Sequence, residues 1–194
     1  DVYKRQIVEN AATGEGVLID CGICKRDFFA RAEEAGFDLG RLSAVVITHD
    51  HGDHTKGLGV VLRGLAKAGA RPAVHASEAV FAASAPLRDA VASVGAAFEP
   101  FGGGDVLEAA GLAVRPFRTS HDAADSYGFR FDEAEGGRDS LGYMTDTGIV
   151  TDKAWEALSG VRLLALESNH DARMLEVGPY PYVIKQRIAS ARGH

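Results

Sequence analysis

The stretch "THDHGDH" at residues 48–54 decides the fold, because it gathers three histidines and two aspartates directly behind the apolar run "AVVI" at 44–47. A continuous run of β-branched and other apolar residues is typical of a strand covered on both faces. His49 and His51 lie two residues apart, so an extended backbone points both rings to the same side. The pattern therefore predicts a buried strand that ends in a cluster of polar side chains.

Glycine at position 52 lets the chain turn, so that Asp53 and His54 return to the same point at the start of the next helix. Neutral imidazoles and carboxylates are the ligands that borderline divalent metals such as zinc prefer. Sites with two metal ions, about 3.5–4 Å apart, need this kind of ligand set. A polar loop with solvated histidines is the alternative interpretation, which the density of ligands behind a buried strand disfavours.

The composition is that of an ordinary globular protein, since 46% of the 194 residues are hydrophobic and 25% are charged. A net charge of −6 predicts no broad nucleic-acid surface, although it is compatible with a local basic strip. No apolar run approaches the ~18 residues that cross a bilayer. The first residues, "DVYKRQIVEN", lack the apolar core of a signal peptide. We therefore expect a cytoplasmic protein without membrane association.

Strands and helices are predicted to alternate along the chain. Apolar runs predict strands at 16–20, 42–48, 72–76 and 161–168, and helical spacing predicts helices at 25–36, 55–68, from 77 to about 93, 151–159 and 180–191. The glycine-rich stretch 96–122 is typical of antiparallel strands, and 126–131 with 140–148 predict a hairpin. This order indicates two sheets packed together, with helices outside. We expect a single domain over 1–194, incomplete at both ends because the chain lacks an initiator Met and stops directly after a predicted helix.

The stretch "THDHGDH" resembles the HxHxDH signature of the metallo-β-lactamase-fold hydrolases. In that family an Asp at a strand end precedes the signature, as Asp20 does in "LIDCG", and a later His and Asp are matched by "TSHD" and "TDTG". The longer strings "SHDAADSYGF", "LESNHDARMLEVGPYP" and "SARGH" are similar to the YycJ/WalJ branch. The resemblance implies an α+β fold, an αββα sandwich of two mixed β-sheets flanked by helices.

The resemblance also implies two divalent metal ions, zinc or manganese, with iron also compatible with the ligand set. The implied ligands are His49, His51 and His121 for one ion, Asp53 and His54 for the other, and Asp146 between the two. Asp53 is the expected catalytic residue, which orients a water molecule or accepts its proton. Asp20 is expected to fix the imidazoles through hydrogen bonds.

Four further residues are candidates for contact with a substrate phosphate: Ser168, Asn169, His170 and His194. A structural role is the alternative for His170. His194 matches the start of the branch's "GHLSN" string, which we do not equate with the family's last metal ligand. The basic residues near the end of the chain, including Lys185 and Arg187, fit either a solvated helix face or a phosphate-backbone contact.

The function that the resemblance implies is hydrolysis of a phosphodiester in nucleic acid, as a 5′–3′ exonuclease that uses a hydroxide bridging two metal ions. A hydrolase of the same fold that acts on a small ester, thioester or lactam is the first alternative. A metal-binding protein without turnover is the alternative from another class. Hydrolysis of a generic phosphodiester would separate the enzymes from the metal-binding protein without turnover. The ligand set selects neither DNA nor RNA and predicts no oligomeric state.

Overall fold

The computed structural model describes residues 5–134, 137, 139–167 and 171–193. Within them, the first sheet has five strands in the order β1-β2-β3-β4-β5. These strands are β1 (Gln6–Glu9), β2 (Gly16–Ile19), β3 (Leu42–Val46), β4 (Ala73–Ala76) and β5 (Phe98–Pro100). Strands β2 to β5 are parallel, and β1 adds an antiparallel edge. Because parallel neighbours end at the same side of a sheet, the residues after β2, β3 and β4 share one edge.

The second sheet has the order β10-β9-β8-β7-β6. Its strands are β6 (Leu107–Ala109), β7 (Leu112–Arg118), β8 (Tyr127–Glu133), β9 (Ser140–Met144) and β10 (Leu163–Leu166). Pairing is antiparallel from β6 to β9 and parallel between β9 and β10. Both sheets are therefore mixed, as the resemblance implied.

Six of the helices listed here lie between strands in sequence, and the last two follow β10. They are α1 (Lys25–Glu34), α2 (Gly52–Thr55), α3 (Leu58–Lys67), α4 (Glu78–Ala83), α5 (Ala85–Val94), α6 (Asp152–Leu158), α7 (Ala172–Val177) and α8 (Tyr182–Ile188). Across the described ranges, no helix combines the length and the apolar content that a membrane span requires.

Side chains of β2 and β3 alternate between two apolar layers. Leu18 and Val45 face a cluster that includes residues of α1, α3 and α5, whereas Val17, Ile19 and Val46 face a cluster with residues of the second sheet. Both faces of these strands are buried, which explains why their sequences are continuously apolar. On the far side of the second sheet, α6 packs through Ala154. The expected αββα sandwich is confirmed.

Several boundaries differ from the sequence prediction, because tertiary pairing decides them. An edge strand, β1, precedes the first predicted strand and pairs with β2. The segment 98–100 was expected among antiparallel strands but pairs in parallel with β4 in the first sheet. The predicted helix from 77 to 93 is two helices, divided at Ser84, whose hydroxyl accepts a hydrogen bond from Leu87 N–H at 3.3 Å and caps α5. Helix α7 was not predicted.

Candidate metal centre

The site lies at the edge where β2 and β3 end and the chain crosses between the sheets. The strand predicted to run to residue 48 ends at Val46. Ile47 N–H still donates to the His75 carbonyl of β4 at 2.9 Å, and the residues that follow reach the second sheet. Tyr127 N–H donates to the Thr48 carbonyl at 3.0 Å, and His49 forms an antiparallel bridge with Ser126. The polar cluster is therefore held between two sheets, and His49 is fully buried.

Three histidines meet at this edge. One ring nitrogen of each of His49, His51 and His121 lies within 4.8 Å of the others. The ring centroids are 4.6 Å apart for His49 and His51, and 4.8 Å apart for His49 and His121. His121 Nε2 lies 3.2 Å from His51 Nδ1, although the two residues are 70 positions apart in the chain. The structure thus brings together the residues that the family resemblance assigns to the first metal ion.

A second group shares His49 with the first. It consists of His49, His54 and Asp146, again with ligand atoms within 4.8 Å of one another. His54 Nε2 lies 3.2 Å from a carboxylate oxygen of Asp146, and the rings of His49 and His54 have centroids 4.0 Å apart. Among the described residues, neither group includes Asp53, which is half-buried on α2 beside His54. The expectation that Asp53 and His54 together hold the second ion stays a prediction.

Asp20 connects the histidines to the end of β2. Its Oδ1 accepts the Thr48 N–H at 2.8 Å, and its Oδ2 accepts the Thr48 hydroxyl at 2.7 Å and lies 2.8 Å from His54 Nδ1. The Thr48 hydroxyl is also 2.9 Å from His49 Nδ1. Because each Nδ1 is engaged in this way, the Nε2 atoms of both rings turn towards the centre of the cluster. Thr48, the first residue of "THDHGDH", has a role that its type alone did not signal.

Two aspartates adopt a backbone conformation that is rare outside glycine. Asp20 has φ 55° and Asp146 has φ 50°, both in the left-handed region. The turn at Asp20 is held by its N–H, which donates to the Val46 carbonyl at 3.0 Å. Asp146 N–H donates to Glu167 Oε2 at 2.7 Å, a contact that nothing in the sequence pattern indicated. Such conformations persist where the surrounding contacts enforce them, and they cluster at functional sites.

Glycines allow the loop after β2 to lie directly on α2. A Cβ atom at Gly22 would stand 1.4 Å from the Asp53 carbonyl oxygen, and one at Gly57 would stand 1.9 Å from the Ile23 carbonyl oxygen. This close approach lets Cys21 N–H donate to the His54 carbonyl at 2.7 Å. Only glycine leaves room for these contacts, which fix the position of the short helix that carries Asp53 and His54.

Burial and charge divide the histidines. Burial, reinforced by the positive charge on His54, lowers the pKa of His49 to about 2, so its ring is neutral. Burial opposes the charged form of His54 as well, but the carboxylates of Asp20 and Asp146 outweigh it and raise the pKa of His54 to about 10. A metal ion bound by His54 would have to displace a proton.

The donors of the cluster suit a divalent metal. His49 Nε2 is buried and forms no hydrogen bond within the described part of the chain. An unpaired buried polar atom costs roughly 1–3 kcal/mol, a cost that a metal ligand bond removes. The surrounding imidazoles and the carboxylate of Asp146 are the ligand types that zinc and similar ions accept. The cluster therefore fits a divalent metal ion.

The loop that carries His121 is tied to its surroundings on two sides. Ser120 N–H donates to Thr147 Oγ1 at 3.1 Å, next to Asp146. From the other side, the guanidinium of Arg192 donates to the His121 carbonyl through Nε at 3.3 Å and Nη2 at 3.2 Å. The Ser120 hydroxyl donates to the Ala191 carbonyl at 2.8 Å. The segment after α8 thus packs on the ligand loops.

The four candidates for phosphate contact lie outside the described residues: Ser168, Asn169, His170 and His194. Their expected roles stay predictions.

A sandwich of two mixed sheets, with imidazoles and carboxylates gathered at one edge, defines the metallo-β-lactamase class of folds. Residues 16–189 match the family described as Beta-lactamase superfamily domain. The chain therefore belongs to the β-lactamase superfamily.

Two curated relatives show which branch of the superfamily the chain resembles. The chain is 34% identical over 178 residues to exodeoxyribonuclease YycJ of Bacillus anthracis, covering 92% of this chain and 64% of that protein. It is 29% identical over 204 residues to exodeoxyribonuclease WalJ of Streptococcus pneumoniae serotype 2, covering 99% and 72%. The resemblance to the YycJ/WalJ branch is confirmed. The chain spans less than two thirds of the length of the Bacillus relative.

Among solved structures, the short form of human tRNase Z has a TM-score of 0.69, with 97% of this chain and 76% of that chain covered. The two sequences are 15% identical, so this likeness supports the fold alone.

Proposed function

We propose that this protein is a metal-dependent hydrolase that cleaves phosphodiester bonds in nucleic acid, with 5′–3′ exonuclease action as its specific form. The observation that carries the proposal is the pair of donor groups that share the buried His49. The names of the two relatives, both exodeoxyribonucleases, support nucleic acid as the substrate. The cytoplasmic location stays a prediction.

Two divalent ions, zinc or manganese, are proposed as the cofactors. His49, His51 and His121 would hold one ion, Asp53 and His54 the other, and Asp146 would contribute to both. Bound ions would supply Lewis acidity towards a phosphate oxygen and would lower the pKa of a water molecule towards neutrality.

The chain's own residues would orient the reactants. Asp53 stands on α2 beside His54 and is half-buried, and its carboxylate would orient a water molecule or accept its proton. Asp20 would keep His54 in one orientation through the contact at Nδ1. Thr48 would do the same for His49, since its hydroxyl lies between Asp20 and the His49 ring.

The test compares His51→Ala with His75→Ala on a 5′-phosphorylated single-stranded DNA in the presence of manganese or zinc. His75 is a matched control, because it is a buried histidine on β4 that belongs to neither donor group. We expect His51→Ala to lose about 10³-fold in rate, since metal assistance supplies several kcal/mol. His75→Ala should keep a rate within about threefold of the wild type, as expected for a residue outside the site.

Equal rates for the wild type and His51→Ala would contradict the proposal. Hydrolysis of a small ester, with no cleavage of the DNA, would instead support the first alternative function.

A further inference from the structure

His121 joins the first donor group, which also contains His49 and His51, from a separate loop. Because His51 lies 70 positions earlier in the chain, contacts outside that strand end must orient the His121 ring. Its Nε2 atom lies 3.2 Å from His51 Nδ1, on the side of the donor group. Its Nδ1 atom is the other ring nitrogen, and the hydrogen bond made there sets which nitrogen can bind a metal ion.

A carboxylate lies beside Nδ1 of this ring. Asp122 follows His121 directly in the chain, and its Oδ1 atom lies 3.5 Å from His121 Nδ1. This distance is at the outer limit of a hydrogen bond. Binding of a metal ion at Nε2 leaves the proton of the neutral ring on Nδ1, where it faces this oxygen. Asp122 is therefore placed to accept a hydrogen bond from the ring in the metal-bound protein.

Arg187 on α8 holds the Asp122 carboxylate from the other side. Its Nε donates to Asp122 Oδ2 at 2.7 Å, a length typical of a charge-assisted hydrogen bond. One carboxylate oxygen therefore faces the guanidinium, while the other faces the imidazole. Because Arg187 and Asp122 are 65 positions apart, this contact joins the ligand loop to a helix that is distant in sequence. An exposed ion pair contributes little to stability, so the fold alone does not account for this pair.

Two other rings of the cluster have the same arrangement. A carboxylate oxygen lies 2.8 Å from His54 Nδ1, and a hydroxyl oxygen lies 2.9 Å from His49 Nδ1. Histidines that bind a metal ion through one nitrogen usually donate the other N–H to such an oxygen, which fixes the tautomer and makes the ring a better ligand. Asp122 supplies the corresponding oxygen at His121.

The segment that follows α8 makes further contacts with the same loop. Arg192 donates to the His121 carbonyl from Nε at 3.3 Å and from Nη2 at 3.2 Å. The Ala191 carbonyl accepts a hydrogen bond from the Ser120 hydroxyl at 2.8 Å. These contacts hold the loop next to α8, whereas Asp122 faces the ring itself. Asp122 is thus the residue through which α8 can act on the orientation of the imidazole.

We propose that Asp122 is a positioning residue, which accepts a hydrogen bond from His121 Nδ1–H when Nε2 binds a metal ion. Arg187 holds the carboxylate in the orientation that this bond requires. The pair therefore makes metal affinity depend on the position of α8, although neither residue belongs to a donor group. The inference rests on the proposed function, which makes His121 a ligand of the first ion.

The test measures zinc affinity by competition with a chromogenic chelator, in a double-mutant cycle. We expect Asp122→Ala to bind zinc about 10–100-fold more weakly than the wild type, and Arg187→Ala about fivefold more weakly. The double variant should bind like Asp122→Ala, because Arg187 acts on His121 only through Asp122. In the zinc-bound wild type labelled with ¹⁵N-histidine, NMR should show a His121 Nδ1–H signal that shifts upfield in Asp122→Ala.

Asp139→Ala is the matched control, because Asp139 forms another exposed ion pair, with Arg162, and belongs to neither donor group. Its zinc affinity should equal that of the wild type. Urea unfolding of the metal-free proteins shows that each variant folds, and all should have similar stability because exposed ion pairs contribute little.

Three results would overturn the inference. One is wild-type zinc affinity in Asp122→Ala, and another is an equal loss of affinity in Asp139→Ala. The third is a loss in the double variant that equals the product of the two single losses, since Arg187 would then act on the centre independently of Asp122.

Failure of the proposed function is detected separately, by wild-type hydrolysis of bis(p-nitrophenyl) phosphate with zinc or manganese present. If the wild type hydrolyses this phosphodiester while Asp122→Ala keeps the wild-type zinc affinity, the positioning inference alone is wrong. If the wild type binds zinc with the expected dependence on Asp122 but does not hydrolyse the phosphodiester, the proposed function alone is wrong.

Discussion

The space between the two sheets is apolar along most of its length and polar at one edge. The apolar part holds aromatic rings such as Phe129, and Phe101 with Tyr127, whose centroids lie 5.1 Å apart at an angle of 86°. The polar part begins where β2 and β3 end, and it holds Asp20 and His49, both fully buried. The two regions are equally shielded from water. They differ in whether the protein's own side chains satisfy every buried group or leave some for a ligand.

The difference shows which region stabilises the fold and which requires a ligand. Apolar burial contributes about 25 cal/mol per Å² without any further partner. The polar part has hydrogen bonds that hold its rings, but His49 Nε2 has no hydrogen bond within the described residues. Stability should therefore depend on metal ions only through the polar edge.

The largest expected effect comes from the apolar region. Phe129 is fully buried between the sheets, so Phe129→Ala should lower the free energy of unfolding by about 3–5 kcal/mol. Urea unfolding should give the same loss with zinc present and with a chelator, because Phe129 supplies no ligand to either donor group. If Phe129→Ala lowers the free energy of unfolding only when zinc is present, the apolar and polar regions are not independent.

Metal addition is the corresponding test of the polar region. At a zinc concentration 100-fold above the dissociation constant, the free energy of unfolding should rise by about 2.7 kcal/mol. His49→Ala should abolish this rise, since His49 belongs to both donor groups, whereas His75→Ala should keep it. A similar rise in all three proteins would show that zinc binds elsewhere.

A smaller effect is expected from the hydrogen bonds behind the ligands. Asp20→Asn removes the carboxylate that contacts His54 Nδ1 and the Thr48 hydroxyl. Metal affinity, measured by competition with a chromogenic chelator, should fall about 10–100-fold. Asp132→Asn is the control, because that carboxylate pairs with Arg115 and Arg130 on the second sheet. Unchanged affinity in Asp20→Asn would show that Asp20 serves the fold alone.

The smallest effect concerns the segment after α8. Arg192→Ala removes two hydrogen bonds to the His121 carbonyl, and metal affinity should fall about fivefold, as expected for about 1 kcal/mol. The same chelator competition measures it. Arg63→Ala, a change at an exposed arginine next to Ser93, should leave the affinity unchanged. If both variants bind metal like the wild type, the segment does not position His121.

Much of the fold was predictable because its signal is local. The apolar runs of β2 and β3 reflect burial on both faces, and they indicated strands that the structure contains. Strand β5 has three residues, too few for a periodic pattern. Its parallel pairing with β4 is set by the path of the chain, so the sequence did not reveal it.

The site residues also differ in whether a local pattern in the sequence reveals them. His49, His51 and His54 were evident from spacing alone, since they lie within one short stretch. His121 and Asp146 could be placed only through the family resemblance, because their approach to the cluster depends on long-range packing. Thr48 and Glu167 were missed, since their roles arise from hydrogen bonds to residues distant in sequence.

The most direct test of the metal centre is an anomalous difference map from crystals grown with zinc, recorded at the zinc absorption edge. We expect one peak between His49, His51 and His121 and a second beside His54 and Asp146. The first peak should lie about 2.0–2.1 Å from a ring nitrogen of each histidine. A map with no peak at this edge of the sandwich, or with zinc bound only elsewhere on the chain, would contradict the assignment of the polar cluster as a metal centre.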